Sequence, residues 1–327
     1  MGKIKLVLDG NNTAYRARST VTLKTKQGED VSAIFGTLRI LESYLKPTRG
    51  GWKNKILDAV QDARLNRTIG FDEVVACWDG GKSQFRKSFY PEYKAHREKK
   101  RKEYTPEEQA SYYAFLDQME EMHEVLNMFG VRSLKVKGWE ADDLMCSVAK
   151  LKAPDDVVIL VSTDRDMLQL VGENVYVWSP IKEVLVTPKN FAEFTGLTKE
   201  TYLTFRALVG DSSDNIIGIE GIGDKKGKDL MYKYKSLEGI KENQAVLSKS
   251  KVFTRIFEND MAIVNRNLKL MDLNKVPFEE IQDYVTGELN KNVKYQAEFV
   301  RTFFMSKQFI SILKDFATWS LPFQNLK

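Results

Sequence analysis

A chain of 327 residues that is 43% hydrophobic and 29% charged can bury a sizeable core and has the length of about two domains. Two cysteines, Cys77 and Cys146, and two well-separated histidines, His96 and His123, argue against a disulfide framework and against zinc chemistry, and favour a reducing, cytoplasmic setting. No apolar run approaches the roughly 20 residues that span a bilayer, and MGKIKLVLDG reads as a first strand and not as a signal peptide, because an acid arrives too soon.

Residues 3–9 form that strand, followed by a helix or turn through NNTAYRAR and a loop or short ribbon with a turn at Gln27-Gly28. A helix starts near Ser32 with Ile34, Leu38, Leu41 and Leu45 at helical spacing, and Pro47 and Gly50-Gly51 end it. Residues 52–67 read as a short amphipathic helix leading to the strand DEVVACWD. Lys82 to Lys102 holds nine Lys/Arg against two Glu. This segment is polar and poor in apolar anchors, so residues 82–104 are the expected mobile part. Thr105-Pro106-Glu107-Glu108 is a helix start with a capping box. That helix extends to Gly130, with Phe115, Met119, Met122, Leu126 and Phe129 on one core-facing stripe.

Strand VRSLKVKG, helix EADDLMCSVAKL, strand DVVILVSTD, helix DMLQLV and strands NVYVWSP and EVLVTP continue an alternating pattern. The order predicts an α/β domain over 1–190 with a mostly parallel central sheet flanked by helices. Beyond about 190 the strands stop, so 191–327 is expected to be mostly α-helical and packed on the sheet domain.

Nine acids stand where the chain leaves a strand or enters a helix: Asp9, Asp79, Glu140, Asp142, Asp143, Asp164, Asp166, Asp211 and Asp214. Strand ends on one edge of a parallel sheet are close in space, so these carboxylates should converge, and such crowding needs cations. Hard oxygen ligands point to Mg²⁺ or Mn²⁺. Each cluster alone has a plainer reading: Asp-Gly at 9 and 79 is a turn dipeptide, and acids at 140–143 suit a helix dipole. Five clusters at compatible positions favour the metal site.

Two basic constellations accompany the acids. Phe85-Arg86 and Tyr93-Lys94-Ala95-His96-Arg97 interleave aromatic rings with cations, which suits phosphate neutralisation and base stacking. Lys94 and Arg97, at i and i+3, could share a helix face and stabilise charge on a phosphoryl group. Without the carboxylates the stretch would read as a solvated basic helix. Gly218-Ile219-Glu220-Gly221-Ile222-Gly223-Asp224-Lys225, with Lys226 and Lys228 nearby, opens backbone amides and a helix N-terminus toward an anion. It suits duplex-backbone binding without base readout.

Taken together, LVLDGNNTAYRA, GEDVSAIFGTL, YPEYKAHR, GVRSLKVKGWEADDL, VSTDRDMLQLV and FRALVGDSSDNIIGIEGIGDKKG resemble the 5′-nuclease/flap endonuclease family. That family includes the 5′→3′ exonuclease domain of bacterial DNA polymerase I and stand-alone phage-type enzymes. The likeness covers residues 4–235. It implies a PIN-like 5′-nuclease fold with a helical arch at about 82–115 and a helix-hairpin-helix at about 205–235. It also implies cleavage of phosphodiesters near single-strand/duplex junctions, leaving 5′-phosphate and 3′-hydroxyl, in primer or flap removal or repair.

By the same resemblance Asp9, Asp79, Glu140 and Asp142, with Asp143 close by, match a first metal cluster, and Asp164, Asp166, Asp211 and Asp214 a second. Lys94 and Arg97 match arch residues at the scissile phosphate, Tyr93 a base-stacking position, and Arg16 a basic position near the site. Arg86, Gly218, Gly221, Gly223, Lys225 and Lys226 are the further candidate DNA contacts, with K⁺ at the helix-hairpin-helix. The implied partners are DNA with a 5′ flap or junction, RNA/DNA primer hybrids, and a DNA polymerase in trans, for a monomer.

Three features depart from the family pattern: a longer 46–70 connection, the varied Gly80-Gly81-Lys82, and no polymerase sequence after the nuclease part. Competing readings are a non-catalytic DNA-junction clamp, a PIN-like RNA nuclease and a small-molecule phosphatase. The full set of acids with Lys94 counts against the first, and the long basic surface against the other two.

Overall fold

The structure is a computed structural model that describes residues 2–46, 51–60, 70–258 and 260–326. In chain order it runs β1 (Ile4–Asp9), α1 (Gly10–Thr20), α2 (Ser32–Leu45), α3 (Trp52–Val60), β2 (Glu73–Trp78), α4 (Gln84–Phe89), α5 (Ala95–Lys102) and α6 (Pro106–Val125). Then follow β3 (Arg132–Lys135), α7 (Ala141–Lys150), β4 (Val157–Val161), β5 (Val175–Ser179), β6 (Val184–Val186), α8 (Phe191–Thr195), α9 (Lys199–Val209), β7 (Gly210–Asp211), β8 (Ile216–Ile217) and α10 (Asp224–Tyr234). Further helices occupy the rest, including Asp260–Met271, Ala297–Ser306 and Phe316–Gln324. The expected helix over 52–67 is present as α3 to Val60; residues 61–67 lie outside the described residues. The expected helix DMLQLV is a 3₁₀ turn, Arg165–Leu170.

Six strands form one sheet in the order β3-β2-β1-β4-β5-β6. The pairings β3–β2, β2–β1, β1–β4 and β4–β5 are parallel. Every residue of β1, β2 and β4 is buried, as expected when helices cover both faces of a parallel sheet. The order reverses direction between β1 and β4, the switch point beside which such sheets open a crevice at their C-terminal edge.

The chain divides into two compact units, and a single cut near residue 190 does not separate them. The first comprises Met1–Lys82, Thr105–Leu185 and Phe278–Lys327; the second comprises Ser83–Tyr104 and Val186–Pro277. The C-terminal segment belongs to the first unit for an apolar reason. Phe129, fully buried, meets Phe303, Phe304, Trp319 and Phe323 with ring centroids 5.7 to 6.4 Å apart. Such aromatic pairs add stabilisation beyond their buried area. The stripe read on α6 and the residues after it is core throughout: Phe115, Met119, Met122, Leu126 and Phe129 are all buried. The Thr105 capping box with Glu108 starts that helix as expected.

At the N-terminal edge of the sheet sits a buried ion network. Glu73, 3% exposed, faces Lys3, Lys5 and Arg132 at 2.6, 3.6 and 3.7 Å, and Lys5 also meets Asp156 at 2.9 Å. Burial works to raise the Asp156 carboxyl's pKa, but the Lys3 N–H and the Lys5 ammonium outweigh it and hold the group below its ordinary range. A carboxyl of lowered folded pKa stabilises the fold above its unfolded value of about 3.9, and that contribution fades as pH falls through the folded value. Asp156→Asn should therefore cost about 1–3 kcal/mol at pH 7. The deficit should close below about pH 4, as read from denaturant melts across pH.

Candidate functional site

The sheet register sets the site. Asp9 is level with Cys77 on β2, and Leu8 with Val161 on β4. Asp79 and Asp164 therefore follow their strands within a few residues of the level of Asp9. Neighbouring strands lie about 4.8 Å apart, so three adjacent strand ends, β2, β1 and β4, each carry an acid. Asp9 is buried, while Asp79, Asp164 and Asp166 are half-buried.

Each acid is also tied to a backbone amide. Asp9 caps α1 by accepting the Asn12 N–H at 2.8 Å. Asp79 accepts the Ala141 N–H at 2.8 Å, which fastens the β2 end to the start of α7. Asp164 accepts the Asp166 N–H at 2.7 Å. At the start of α7, Asp143 accepts the Glu140 N–H at 3.2 Å and is 1% exposed. The Glu140 side chain accepts the Asp143 N–H in return, so this capping box accounts for two of the three acids there; Glu140 is buried and Asp142 half-buried. Hydrogen bonds to a carboxylate favour its charged form.

One buried group reports on the field of these acids. Cys77 is buried, which pushes its thiol pKa up, and the negative charges of Asp9 and Asp142 push it further. Asp9 and Asp142 thus act on the same point from β1 and α7. Trp78 faces the other way: a Cβ on Gly10 would stand 2.6 Å from its ring, so the first residue of α1 lies directly against it.

Among the described residues, no three His, Cys, Asp or Glu side chains form a ready-made metal cage. The donor set is carboxylate-only and fits a hard cation. Mg²⁺ in particular keeps several waters and uses one or two carboxylates instead of a closed protein cage.

The second unit carries Asp211, Asp214 and the basic segment. Asp214 receives three partners: Tyr93 Oη donates at 3.0 Å, Arg97 Nη2 at 2.8 Å, and Lys94 Nζ stands 3.6 Å away. Lys94 precedes α5 with a φ of +54°, and its own N–H donates to the Asp214 carbonyl at 2.9 Å. Lys94 and Arg97 both reach Asp214, but Lys94 lies just outside α5, so the two do not share a helix face as expected. Asp211 binds Arg206 at 2.6 Å and the Ser213 hydroxyl and N–H. Burial works to raise its pKa, and the Ser213 and Arg206 bonds lower it below the ordinary range.

Three readings of the basic segment need correction. Arg86 is not a surface contact: it is 4% exposed, and its guanidinium donates to the Leu270 carbonyl at 3.0 Å and to Ser83 Oγ. Tyr93, 3% exposed, has its ring in a core with Tyr90, Ile216, Leu270 and Met271, where it offers no face to a base. The segment is also not poor in apolar anchors, since Phe89, Tyr90 and Tyr93 all join that core. Most of the exposed cations are on α5, which buries no residue.

Arg16 lies on α1, over the Trp52 ring at 5.7 Å and beside the buried Tyr44 hydroxyl, whose pKa is raised by burial against the opposing effect of Arg16. Gly218, Gly221 and Gly223 form the turn between the β7–β8 ribbon and α10, pinned by buried Ile219 and Ile222. No side chain caps α10, and Lys225 and Lys226 in its first turn are exposed.

Residues that the sequence reading passed over hold the strand ends together. Asn11 and Asn12 bond across to neighbouring strand ends, and Gly80 bonds to the turn before Glu140. Gly80 N–H donates to the Trp139 carbonyl at 2.8 Å, and Gly138 N–H to the Gly80 carbonyl at 2.9 Å. Asn-Asn after Asp-Gly looks like any polar turn, so no local signal marks them.

The site is thus a mostly parallel sheet with acids at the C-terminal edge of its switch point. The family model described as 5′-3′ exonuclease, N-terminal resolvase-like domain, matches residues 5–196, and that for the 5′-3′ exonuclease C-terminal SAM fold matches residues 197–292. The chain belongs to the 5′-3′ exonuclease family. It is 30% identical over 308 residues to DNA polymerase I of Lactococcus lactis subsp. cremoris, covering 90% of this chain and 31% of that protein. It is 33% identical over 290 residues to DNA polymerase I of Mycobacterium tuberculosis, covering 85% of this chain and 28% of that one. The chain thus spans under a third of the length of these relatives.

Among solved structures, T5 5′-exonuclease with bound zinc aligns with a TM-score of 0.65 at 23% identity, over 89% of this chain and 95% of that one. A bacteriophage T5 flap endonuclease in a pseudo-enzyme-product complex with DNA and metal ions aligns at 0.63 and 21%, over 97% and 99%. At these identities the likeness speaks for the fold.

A Cβ on Gly80 would sit 1.7 Å from the Val136 carbonyl oxygen, which no side-chain movement relieves. Gly80→Ala should cost more than about 1 kcal/mol and show as a lowered melting temperature. An unchanged melt would mean that the 136–139 turn yields without cost.

Proposed function

We propose that this chain is a divalent-metal-dependent, structure-specific 5′ nuclease that hydrolyses phosphodiesters near single-strand/duplex junctions, leaving 5′-phosphate and 3′-hydroxyl ends. The observation that carries the proposal is the alignment of Asp9, Asp79 and Asp164 at three adjacent strand ends, with the acids of α7 anchored to Asp79. Mg²⁺ or Mn²⁺ would be held by Asp9, Asp79, Glu140 and Asp142, with Asp143 as the buried cap behind them, and by Asp164 and Asp166. When bound, such ions lower the pKa of water, polarise the phosphate and offset the charge of the leaving oxygen.

Asp211 and Asp214 are proposed ligands too, and each must first give up an ionic partner, Arg206 in one case and Lys94 with Arg97 in the other. In our reading Lys94 and Arg97 leave Asp214 for the substrate phosphate, where two cations stabilise charge that develops during attack. The exposed cations of α5 would follow the single strand, and Arg16, held half-buried on Trp52, contributes positive potential.

Gly218 to Lys226 would grip the downstream duplex as a helix-hairpin-helix: the uncapped start of α10 offers N–H groups to a backbone phosphate, Lys225 and Lys226 add charge, and K⁺ on the turn carbonyls would complete it. We further propose action as a cytoplasmic monomer on 5′-flap DNA or RNA/DNA primer hybrids, with a DNA polymerase acting in trans.

A 5′-labelled flap duplex, incubated with Mg²⁺ or with EDTA beside single-stranded RNA, tests this reading. Metal-dependent release of the flap at the junction is the expected result. Tight junction binding without cutting in Mg²⁺ or Mn²⁺ would leave a non-catalytic clamp, and cutting of RNA alone a PIN-like ribonuclease.

Two substitutions sharpen the test. Asp164→Asn with Asp166→Asn keeps the cap, because an amide oxygen accepts the same N–H. It should lower cleavage more than about 100-fold, with junction binding in Ca²⁺ unchanged; equal loss of both would mark these acids as structural. Lys94→Ala should lower kcat by about 10²–10³-fold with a smaller effect on KM, and an effect on KM alone would reduce Lys94 to docking.

A further inference from the structure

Asn11 and Asn12 follow the Asp9-Gly10 strand end, and each sends its side chain sideways to a different neighbouring strand end. Asn11 Oδ1 accepts the Asp79 backbone N–H at 2.8 Å, and its Nδ2 donates to Met119 Sδ at 3.6 Å. Asn12 Nδ2 donates to Thr163 Oγ1 at 2.5 Å, beside Asp164, while its own backbone N–H donates to Asp9 Oδ1. Neither side chain serves its own helix, because Asp9 is the cap of α1. The partners lie 68 and 151 residues away in sequence. The Asn12–Thr163 bond crosses from β1 to β4, the point at which the strand order reverses.

We infer that Asn11 and Asn12 are positioning residues for the carboxylates: Asn11 fixes Asp79 against Asp9, and Asn12 fixes Asp164 against Asp9. The inference rests on the metal-dependent reading above. Carboxylates crowded on adjacent strands repel one another, and the repulsion tends to spread the strand ends. A neutral amide can both donate and accept across that gap without adding charge, which an aspartate in the same place would do. Metal sites lose affinity when the groups that orient their ligands are removed, typically by about 10- to 100-fold. The two asparagines are placed to supply that orientation from one turn of one helix.

The test is Mn²⁺ titration by calorimetry on the DNA-free protein, with thermal melts of each variant alongside. Asn11→Ala, Asn12→Ala and the near-isosteric Thr163→Val should each weaken Mn²⁺ binding by about 10-fold or more, and raise the Mg²⁺ concentration needed for half-maximal cleavage by a similar factor. KM for DNA at saturating Mg²⁺ should stay as in the wild type. Thr163→Ser, which keeps the hydroxyl, should restore wild-type affinity. Asn12→Ala with Thr163→Val should be no worse than either alone, since both remove one bond.

Wild-type Mn²⁺ affinity in folded Thr163→Val and Asn11→Ala would overturn the inference, as would a loss that only tracks the unfolded fraction. If the wild type itself neither binds Mn²⁺ nor cuts, the metal reading falls, and this inference with it.

Discussion

Negative charge crowded at the C-terminal ends of adjacent parallel strands is the constraint on which the rest of this structure depends. Strands about 4.8 Å apart that each end in an acid would spread or protonate if nothing held them. The fold answers with backbone N–H groups: Asn12 to Asp9, Ala141 to Asp79, Glu140 to Asp143 and Asp166 to Asp164. The starts of α1 and α7 supply three of these donors, so helix N-termini, which favour negative charge, are spent on the acids. The bonds that begin the helices are the bonds that hold the carboxylates in place. Tight contacts then fix the loops: Gly10 against Trp78, and Gly80 against the 136–139 turn.

The opposite edge of the same sheet treats charge in the opposite manner. There Glu73 and Asp156 are matched inside the protein by Lys3, Lys5 and Arg132. Asp72 accepts the Ile4 N–H at 3.0 Å, and Asp156 the Lys3 N–H at 2.8 Å, so the first strand is pinned at its start. Removing one member of such a pair strands its partner, and the fold suffers directly. At the C-terminal edge, Asp9, Asp79 and Asp164 each accept a backbone N–H. The sheet thus has one edge where acids meet lysine and arginine and one edge where acids meet helix and turn N–H groups.

Much of this was legible in the sequence because it is local. Buried-strand runs ending in Asp, the Thr105 capping box and the core stripe from Phe115 to Phe129 each declare themselves within a few residues. The acid-bearing strand ends follow once the alternation implies a parallel sheet. What was not legible depends on distant partners. Nothing in the residues around Asn12 names Thr163, and nothing around Phe129 names Phe323. The basic segment misled for a related reason. Its cations outnumber its rings, so it reads as solvated; but Phe89, Tyr90 and Tyr93 reach Ile216 and Leu270, and Arg86 follows them inward to the Leu270 carbonyl. Counting charge could not separate the buried arginine from the exposed lysines of α5.

The second unit obeys a different energetic logic from the sheet. Asp211 and Asp214 are already satisfied by cations of their own chain, so a metal ion there would replace a partner instead of filling a vacancy. Lys94 holds a left-handed backbone conformation, uncommon for a side chain with a Cβ. Its N–H bond to the Asp214 carbonyl and the Tyr93 hydroxyl bond to the Asp214 carboxylate hold it there. Whatever draws Lys94 and Arg97 away leaves Asp214 with uncompensated charge and a greater affinity for a cation. Linkage requires the converse, that a cation on Asp214 loosens Lys94 and Arg97 by the same free energy. On the proposed reading, a single aspartate with three partners would therefore couple anion binding at Lys94 and Arg97 to cation binding at Asp214, within one compact unit.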